Sequence, residues 1–461
     1  METYDAIVIG AGQAGIPLAK KLAEAGWKTA LIEKRVVGGT CINDGCTPTK
    51  AMVASARMAY LASRSQDFGV DIPSYQVDFP AVMARKDAMV KQFRNGAEKG
   101  IAGTENLELI AGNAEFTDDH EVTVYGENGD TRQLRADHIF INTGGTTKIP
   151  TIEGLKEVEF LTSSTILQLS SVPKKLLIVG GGYIGLEFGQ MFQRFGSQVT
   201  LLEQGDRLMP KEDLDVCEVI SDIFKDDGIE VWLNTKAVKF EKDVDGGIRV
   251  HVESPEGTKY ITCSQVLIAS GRKPQTENLG LENTGITCDD KGFIQVNDRL
   301  ETAVKGVYAL GDVKGGPQFT HISYNDYVVV TSNLLNKGNQ SIKNRMVPYC
   351  MFTDPQLGRI GITEMEAKEL GLDYSVAKIP MKNIARAIET SETRGFMKAV
   401  VDKKTKQILG ATIIGAEGGE VMSVLQMAMM GGITYKQIRY TIFAHPLYAE
   451  SLNNLFMALD D

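Results

Sequence analysis

The sequence has 461 residues, of which 43% are hydrophobic and 23% charged, as in ordinary soluble globular proteins. Its length predicts about three domains. The formal net charge of −10 argues against nucleic-acid binding, which requires basic patches. No apolar run reaches the roughly 18 residues of a membrane span, so we expect no membrane partner. The N-terminus enters an apolar run at residues 6–9 without a charged leader, which predicts a cytoplasmic protein.

Residues 5–33 have the pattern of a βαβ unit, with an apolar strand, a glycine-rich turn, a helix and a second strand. Gly10, Gly12 and Gly15 form a G-x-G-x-x-G pattern at the turn. These glycines permit a tight turn and a close approach of the backbone to a pyrophosphate at the helix N-terminus. Glu33 follows Gly10 by 23 residues (33 − 10), where an acid can accept hydrogen bonds from a ribose. The combination predicts a dinucleotide site.

Two cysteines, Cys41 and Cys46, lie within residues 38–50, GGTCINDGCTPTK. Such a pair indicates a redox couple, half of a metal site or a coincidence. No second cysteine or histidine pair lies nearby, so a zinc site lacks ligands. Thr47 and Pro48 predict the start of a helix, whose dipole would stabilise a Cys46 thiolate. In one regular helix the two Cα atoms would lie about 7.5 Å apart, so a disulfide would be strained.

The βαβ pattern recurs at residues 176–203. Gly180, Gly182 and Gly185 repeat the glycine spacing, and Glu203 follows the first glycine by the same 23 residues (203 − 180). Two such units in matching register predict two bound dinucleotides. A single unit would be a weaker signal, because isolated glycine patterns occur by chance.

Four other segments carry strand or loop patterns. Residues 119–130 and 241–256 combine glycine with charge and predict hairpin loops. Residues 396–402 and 408–414 flank a charged turn and predict a β-hairpin.

The run GGTC-x-N-x-GC-x-P-x-K at residues 38–50 resembles the active-site signature of the class I pyridine nucleotide–disulfide oxidoreductases. The chain is most similar to mercuric reductase-like and reactive-chlorine-resistance flavoproteins, and also to dihydrolipoyl dehydrogenase. The resemblance covers nearly the whole chain. It implies an α/β fold with two Rossmann-like domains that bind FAD and NAD(P), plus a C-terminal α+β dimerisation domain. The implied boundaries are 1–149 and 274–345 for FAD, 150–273 for NAD, and 346–461 for dimerisation.

The same resemblance implies roles for the redox residues. Cys46 would face the flavin as the charge-transfer thiolate, and Cys41 would be the interchange thiol that meets the acceptor. Lys50 resembles the family lysine beside flavin N5, where a cation stabilises negative charge on the reduced ring. Glu187 is its implied partner. Taken alone, Lys50 and Glu187 would more often be solvated helix residues.

His445 and Glu450 resemble the acid–base dyad of the family, in which the carboxylate orients the ring and the histidine exchanges a proton with Cys41. A lone histidine is more often structural. In the family this histidine comes from the other subunit, so the resemblance implies a homodimer.

The resemblance also implies the residues that contact the two cofactors. For FAD they are Gly10, Gly12, Gly15, Glu33, Thr40, Thr143, Gly144 and Asp312. For NAD they are Gly180, Gly182, Gly185, Glu203 and Gly271. A carboxylate at Glu203 accepts from a free 2′-hydroxyl and repels a 2′-phosphate, so NADH is expected over NADPH unless Arg207 turns toward the phosphate.

Two positions depart from the dihydrolipoyl dehydrogenase pattern. Asp44 and Thr47 stand where that enzyme usually has apolar residues. A carboxylate beside the thiols is expected to raise their pKa values and to favour a cation or a neutral oxidant over an anionic disulfide. Asp44 capping a helix turn is the alternative interpretation. The run 459–461 lacks the cysteine pair with which mercuric reductase collects mercury, so true mercuric reduction is not expected.

These features predict an enzyme that passes a hydride from NADH to FAD, then electrons to the Cys41–Cys46 disulfide and on to a small-molecule acceptor. A disulfide, a metal ion and an oxidant all remain open as acceptors. Dihydrolipoyl dehydrogenase is the alternative within the family. A non-catalytic, NADH-sensing flavoprotein is the alternative from another class, and the intact set of Cys41, Cys46, Lys50, His445 and Glu450 argues against it.

Overall fold

The computed structural model describes residues 1–459. Residues 460 and 461 lie outside the described residues. The expectation about the missing cysteine pair, which concerned residues 459–461, falls partly on them. The strands are β1 (Glu2–Ile9), β2 (Thr29–Glu33), β3 (Leu107–Ala111), β4 (Asn113–Asp118), β5 (Glu121–Tyr125), β6 (Thr131–Ile141), β7 (Gly145–Thr147), β8 (Lys175–Val179), β9 (Gln198–Leu202), β10 (Glu230–Trp232), β11 (Lys236–Lys242), β12 (Ile248–Ser254), β13 (Gly257–Cys263), β14 (Gln265–Ile268), β15 (Arg272–Pro274), β16 (Val307–Ala309), β17 (Tyr349–Met351), β18 (Gln356–Gly361), β19 (Tyr374–Pro380), β20 (Phe396–Asp402) and β21 (Ile408–Gly415).

The α-helices are α1 (Gly15–Glu24), α2 (Gly39–Asn43), α3 (Cys46–Ser63), α4 (Phe79–Ala102), α5 (Tyr183–Phe195), α6 (Leu214–Asp226), α7 (Thr320–Leu335), α8 (Glu364–Glu369), α9 (Ala385–Glu389), α10 (Gly418–Met430), α11 (Tyr435–Arg439) and α12 (Ser451–Met457). No helix within residues 1–459 combines the length and the apolar character needed to cross a membrane.

The chain forms two compact units. The first unit comprises residues 1–51, 83–148 and 271–345, and the second comprises residues 52–82, 149–270 and 346–461. The predicted mixture of α/β and α+β parts is confirmed by their sheets and helices. The three-domain boundaries stay a prediction.

The first unit is built on a sheet of order β3-β2-β1-β6-β5-β4, with β16 paired to β6. Strands β1, β2, β3, β6 and β16 run parallel. The apolar run of β1 is buried because both faces of a parallel sheet are covered. Helix α1 packs against this sheet through Leu18 and Leu22, which recur at helical spacing. The carboxyl end of β1 therefore leads directly into the first glycine turn.

The second unit contains three sheets. A parallel sheet of order β10-β9-β8-β14 carries the second glycine turn at the end of β8. A three-stranded antiparallel sheet joins β11, β12 and β13. The third sheet is antiparallel, with the order β17-β18-β21-β20-β19, and α10 packs against it. Strands β20 and β21 pair as the predicted hairpin, which is confirmed.

The predicted extent of two hairpin loops is wrong. Residues 119–130 include strand β5, and residues 241–256 include all of β12. In each range the apolar residues alternate, and Val122 and Val124, like Val250 and Val252, are buried. Charged residues on the other face of these strands gave the segments the composition of loops, while the alternation places them in sheets.

Candidate functional site

The first glycine turn joins β1 to α1 in the first unit. Gly10 has φ +105°, a region that favours glycine, and a Cβ there would lie 2.3 Å from the carbonyl oxygen of Asn142. The side chain of Asn142 is buried and accepts a hydrogen bond from the Gly15 N–H at 2.9 Å. Its amide nitrogen donates to the carbonyl of Leu310 at 3.0 Å. Asn142 therefore ties the turn to two neighbouring strand ends.

Glu33 lies at the end of β2, beside this turn. One of its carboxylate oxygens accepts from the Ala11 N–H at 2.9 Å, and the other accepts from the Arg35 N–H at 2.9 Å. Each carboxylate oxygen has further lone pairs that can accept from a hydroxyl group. The carboxylate is thus held at the predicted position beside the glycine turn.

The second glycine turn repeats this arrangement in the second unit. Gly180 has φ +119°, and a Cβ there would lie 2.6 Å from the carbonyl oxygen of Ala269. Glu203 accepts from the Gly181 N–H at 2.8 Å and from the Gly205 N–H at 2.7 Å. These contacts match those of Glu33 position by position. The two predicted units therefore share their backbone geometry as well as their spacing.

The N-cap residues of α1 and α5, Ala14 and Gly182, make no side-chain cap of their own, while Asn142 accepts from the first N–H of α1, that of Gly15. The first N–H groups of a helix lack partners within the helix, and the helix dipole makes this end positive. A helix N-terminus that follows a glycine turn and has no capping side chain on its N-cap residue suits a bound pyrophosphate. The residues present therefore fit a dinucleotide in each unit.

Arg207 is the cation nearest in sequence to Glu203. Its Nε donates to the Asp206 carboxylate at 3.0 Å, and both side chains are partly exposed. The guanidinium that was predicted as a possible phosphate ligand is thus engaged with an acid.

The two cysteines lie on separate helices. Cys41 is in α2, and Cys46 is the first residue of α3, with a break at Asp44 and Gly45. The predicted helix start at Thr47 and Pro48 is therefore wrong by two residues. The distance expected for one continuous helix does not apply, because the chain turns between the cysteines. The two sulfurs are not joined in a disulfide here.

The thiols contact each other and the start of α7. The Sγ of Cys46 lies 3.3 Å from the hydroxyl oxygen of Thr320, the first residue of that helix. The pKa of the Cys41 thiol is raised far above its usual range, first by its hydrogen bond to Cys46 and then by burial. The hydroxyl of Thr320 acts on Cys41 in the opposite direction. A hydroxyl and a helix N-terminus thus stand beside the sulfur pair.

Asp44 forms an ion pair with Arg35, whose Nη2 lies 2.7 Å from the carboxylate. Asp44 is mostly buried, with 14% of its side chain exposed, and Arg35 is exposed. The Asp44 charge that was expected to raise the pKa values of the thiols is therefore paired with the charge of Arg35. The causes that raise the pKa of Cys41 are the contact with Cys46 and burial.

Two other predicted residues flank the cysteines. Lys50 follows Cys46 by four positions on α3, so both side chains lie on the same face of the helix. Thr40 belongs to α2, and its carbonyl accepts from the Asp44 N–H at 2.8 Å. In the second unit, the carboxylate of Glu187 is buried on α5 and accepts from the Phe352 N–H at 2.8 Å. The pairing of Lys50 with Glu187 stays a prediction.

Asp312 lies in a 3₁₀ turn after β16, within a buried cluster of charges. Burial raises its pKa, while Arg272, at 3.2 Å, lowers it. The neighbouring Asp326 is fully buried and accepts from the Gly311 N–H at 2.8 Å, from Lys314 at 3.3 Å and from Arg345 at 2.6 Å. The cluster fixes the turn that carries Asp312.

The remaining predicted cofactor residues lie at strand ends. The hydroxyl of Thr143 donates to the carbonyl of Gln275 at 2.7 Å, and the carbonyl of Gly144 accepts from the Gln275 N–H at 2.9 Å. The carbonyl of Gly271 accepts from the Lys148 N–H at 2.9 Å. These bonds hold the chain where it leaves β6 and where it enters β15.

His445 and Glu450 lie together in the second unit. The Nδ1 atom of the histidine is 3.0 Å from both carboxylate oxygens. The side chain of His445 is 67% exposed. An exposed imidazole held by a carboxylate is suited to exchange protons with a group outside its own unit.

Sequence reasoning missed Asn142, Thr320 and Asp326. Asn142 has a signal in the sequence, because it is a polar residue that interrupts an apolar strand before two glycines. Thr320 has none, since it lies 274 positions from its sulfur partner. Across residues 1–459, no group of three or more His, Cys, Asp or Glu side chains is arranged to hold a metal ion.

Comparison with known proteins agrees with this geometry. Residues 4–326 match the family model of the pyridine nucleotide-disulphide oxidoreductases, and residues 347–456 match the dimerisation domain of that family. The chain is 39% identical over 460 residues to a probable pyridine nucleotide-disulfide oxidoreductase, RclA, of Escherichia coli, with 99% of each chain covered. It is 35% identical to a dihydrolipoyl dehydrogenase of Thermus scotoductus, covering 100% of this chain and 98% of the other.

A mercuric reductase of Lysinibacillus sphaericus is 33% identical over 461 residues, covering 100% of this chain and 83% of the other. A solved structure described as the Cu(II) complex of the HOCl-induced flavoprotein disulfide reductase RclA from Escherichia coli has a TM-score of 0.92 and 38% identity, with both chains fully covered. The chain therefore belongs to the pyridine nucleotide-disulphide oxidoreductase family.

Proposed function

We propose that this oxidoreductase uses FAD, NADH and a redox-active Cys41–Cys46 pair to reduce a small-molecule acceptor. Members of the family are FAD flavoproteins that use NAD(P)H. The observation that carries the proposal is the hydrogen bond between the two thiols, which meet across a helix break beside Thr320. Bound FAD would supply hydride transfer from NADH and a two-electron connection to the disulfide.

The protein residues would divide the thiol chemistry between them. Reduction of the pair follows NADH + H⁺ + disulfide → NAD⁺ + two thiols. The contact with Cys46 and burial raise the pKa of the Cys41 thiol. Cys46 is the first residue of α3, where the positive end of the helix dipole stabilises a thiolate. This supports Cys46 as the thiolate and Cys41 as the protonated interchange thiol. Cys41 then needs a base before it can attack an acceptor.

His445 is our candidate for that base. Its ring is oriented by Glu450, and the carboxylate stabilises the imidazolium that forms when a proton arrives. We propose that it acts on Cys41 of the other subunit in a homodimer, which the match to a dimerisation domain supports. Lys50 would stabilise negative charge near Cys46, from the same face of α3.

The acceptor is proposed to be a metal cation or a neutral oxidant. The cation is supported by the Cu(II) complex described for the Escherichia coli relative, which is similar over the full length of the chain. Reduction of copper would follow two thiols + 2 Cu²⁺ → disulfide + 2 Cu⁺ + 2 H⁺. The Arg35–Asp44 pair makes the local charge close to neutral, which weakens the electrostatic argument against disulfide acceptors.

The test compares NADH oxidation by the purified, FAD-loaded enzyme with Cu²⁺, Hg²⁺, lipoamide and glutathione disulfide. We expect Cu²⁺ to support turnover and lipoamide to support little. Rapid lipoamide turnover would instead identify the enzyme as a dihydrolipoyl dehydrogenase, which the Thermus scotoductus relative favours as the second candidate. No turnover with any acceptor would favour a non-catalytic sensor.

A further inference from the structure

The loop that carries both cysteines is held by Asn43, which lies between them as the last residue of α2. Its side-chain nitrogen donates to the carbonyls of Val37 at 3.0 Å and Gly39 at 2.9 Å. Asn43 thus ties the end of α2 to the start of that helix and to the turn that precedes it.

Asn43 is in turn held by Arg94, which projects from α4. The Nε and Nη2 atoms of Arg94 donate to the Asn43 side-chain oxygen at 2.8 and 2.6 Å. A guanidinium has no acceptor, so it orients the amide with its oxygen toward Arg94 and its nitrogen toward the two carbonyls. Arg94 thus anchors the cysteine loop to a helix of 24 residues.

We propose that Asn43 and Arg94 form a positioning clamp that favours the disulfide form of the Cys41–Cys46 pair. The proposal rests on the redox role proposed above for these cysteines. Neither clamp residue needs to touch the acceptor. Together they hold the loop so that the two sulfurs stay close after reduction.

The physical argument concerns the loop entropy of the dithiol. A free six-residue loop gains conformations when its disulfide opens, and this gain favours reduction. A loop already held at its middle by four hydrogen bonds gains fewer conformations, so less is lost when the bond forms again. Removing the clamp should therefore make the disulfide easier to reduce.

The test is a redox titration of the FAD-loaded enzyme in which reduced and oxidised dithiothreitol exchange with the pair: disulfide + reduced dithiothreitol ⇌ two thiols + oxidised dithiothreitol. Free thiols are then alkylated, and the peptides that contain Cys41 and Cys46 are quantified by mass spectrometry. We expect Arg94→Met to lower the equilibrium constant for disulfide formation about fivefold, the typical effect of losing a hydrogen-bonded contact.

Two variants separate the clamp from general stability. Asn43→Asp keeps an acceptor for Arg94 but loses both donors to the carbonyls, and it should shift the equilibrium in the same direction. Lys91→Met removes a cation from an exposed position of the same helix and should leave the equilibrium unchanged. If Arg94→Met is too unstable to purify, the same titration is made with Asn43→Asp and Arg94→Lys.

Two outcomes would overturn the proposal, and they are distinguishable. In the first, the wild type forms the disulfide, and the equilibrium constant for disulfide formation in Arg94→Met lies within twofold of that in the Lys91→Met control. This would show that the clamp is only a structural contact, whatever its effect on the melting temperature. A wild-type enzyme in which Cys41 and Cys46 never join would overturn the proposed function along with the clamp.

Discussion

The two glycine-rich βαβ units have the same backbone but different surroundings. In both, the first glycine has positive φ, and the acid at the end of the second strand accepts from the same two backbone positions. The difference lies in the side chains beyond the turn. The same glycine-turn geometry is therefore repeated within one chain, with different side chains around each copy.

The first unit is fixed by buried polar groups. Asn142 binds the glycine turn, and the buried carboxylate of Asp326 holds the turn that carries Asp312. Buried polar groups with every partner in place resist rearrangement, because each broken bond leaves an unsatisfied group. This environment suits a cofactor that stays bound through turnover.

The second unit presents a more open environment. The next charged residues along the chain after Glu203 are Asp206 and Arg207, whose side chains are 68% and 37% exposed. The structural counterpart of Asn142 at the neighbouring strand end is Ala269, which cannot bond to the glycine turn through its side chain. This environment suits a coenzyme that exchanges in every cycle.

The largest effects should come from matched substitutions of the first glycine in each turn, because each substitution disturbs only one of the two proposed dinucleotide sites. Gly10→Ala and Gly180→Ala each place a Cβ against a strand carbonyl at positive φ, with strain of about 1–3 kcal/mol. We expect Gly10→Ala to lose bound FAD, and Gly180→Ala to keep FAD while its KM for NADH rises at least about tenfold. Flavin absorbance and steady-state kinetics measure the two. Equal loss of FAD in both variants would contradict the assignment.

Asn142→Ala should weaken the first site selectively. It leaves the Gly15 N–H and the Leu310 carbonyl without their partner, at a cost of about 1–3 kcal/mol for each buried group. We expect a lower melting temperature and faster release of FAD, measured by fluorescence, with an unchanged KM for NADH. Asn142→Asp is the control, because it keeps the acceptor for Gly15. A raised KM for NADH would argue against separate sites.

Glu203→Ala tests coenzyme choice in the second site. A carboxylate at this position accepts from the ribose 2′-hydroxyl and repels a 2′-phosphate. We expect the ratio of kcat/KM for NADH over NADPH to fall about tenfold, which corresponds to roughly 1.4 kcal/mol. Arg207→Met should leave the NADH value unchanged, since Arg207 is paired with Asp206. A wild-type enzyme that prefers NADPH would overturn this assignment.

The smallest effect is expected from Arg35→Met, which exposes the charge of Asp44 to the thiols. The lost ion pair is partly exposed, so the free energy of unfolding should change by about 0–1 kcal/mol. We expect the turnover rate with an anionic disulfide to fall slightly and the turnover rate with Cu²⁺ to stay unchanged. Asp44→Val, assayed in parallel, should reverse the preference. Identical acceptor profiles would show that this pair has no part in acceptor choice.

Local patterns predicted the two βαβ units, because the apolar strands, the glycine spacing and the terminal acid all lie within about 30 consecutive residues. The redox loop was predicted only in part. Pro48 is a good first helical residue, yet α3 begins at Cys46, because the chain breaks at Asp44 and Gly45. A Cβ at Gly45 would lie 2.9 Å from the Thr40 carbonyl, so the break requires glycine.

Contacts between distant segments could not be predicted from these patterns. Thr320 reaches Cys46, and Arg94 reaches Asn43, only after the sheet and helices are assembled. The same holds for the pairing of Asp44 with Arg35, which changed the expected electrostatics of the loop. The sequence predicted candidate reactive residues, whereas the structure showed which residues hold them in place.

The most direct test of the account is an anaerobic titration of the FAD-loaded enzyme with NADH, followed by absorbance. We expect a long-wavelength charge-transfer band in the wild type, because the proposed role of Cys46 would place its thiolate against oxidised flavin after the disulfide opens. Cys46→Ser should abolish the band, and Cys41→Ser should show it without any reductant. A Cys41→Ser enzyme with no band at any accessible pH, or a Cys46→Ser enzyme that retains it, would contradict the proposed roles of the two thiols.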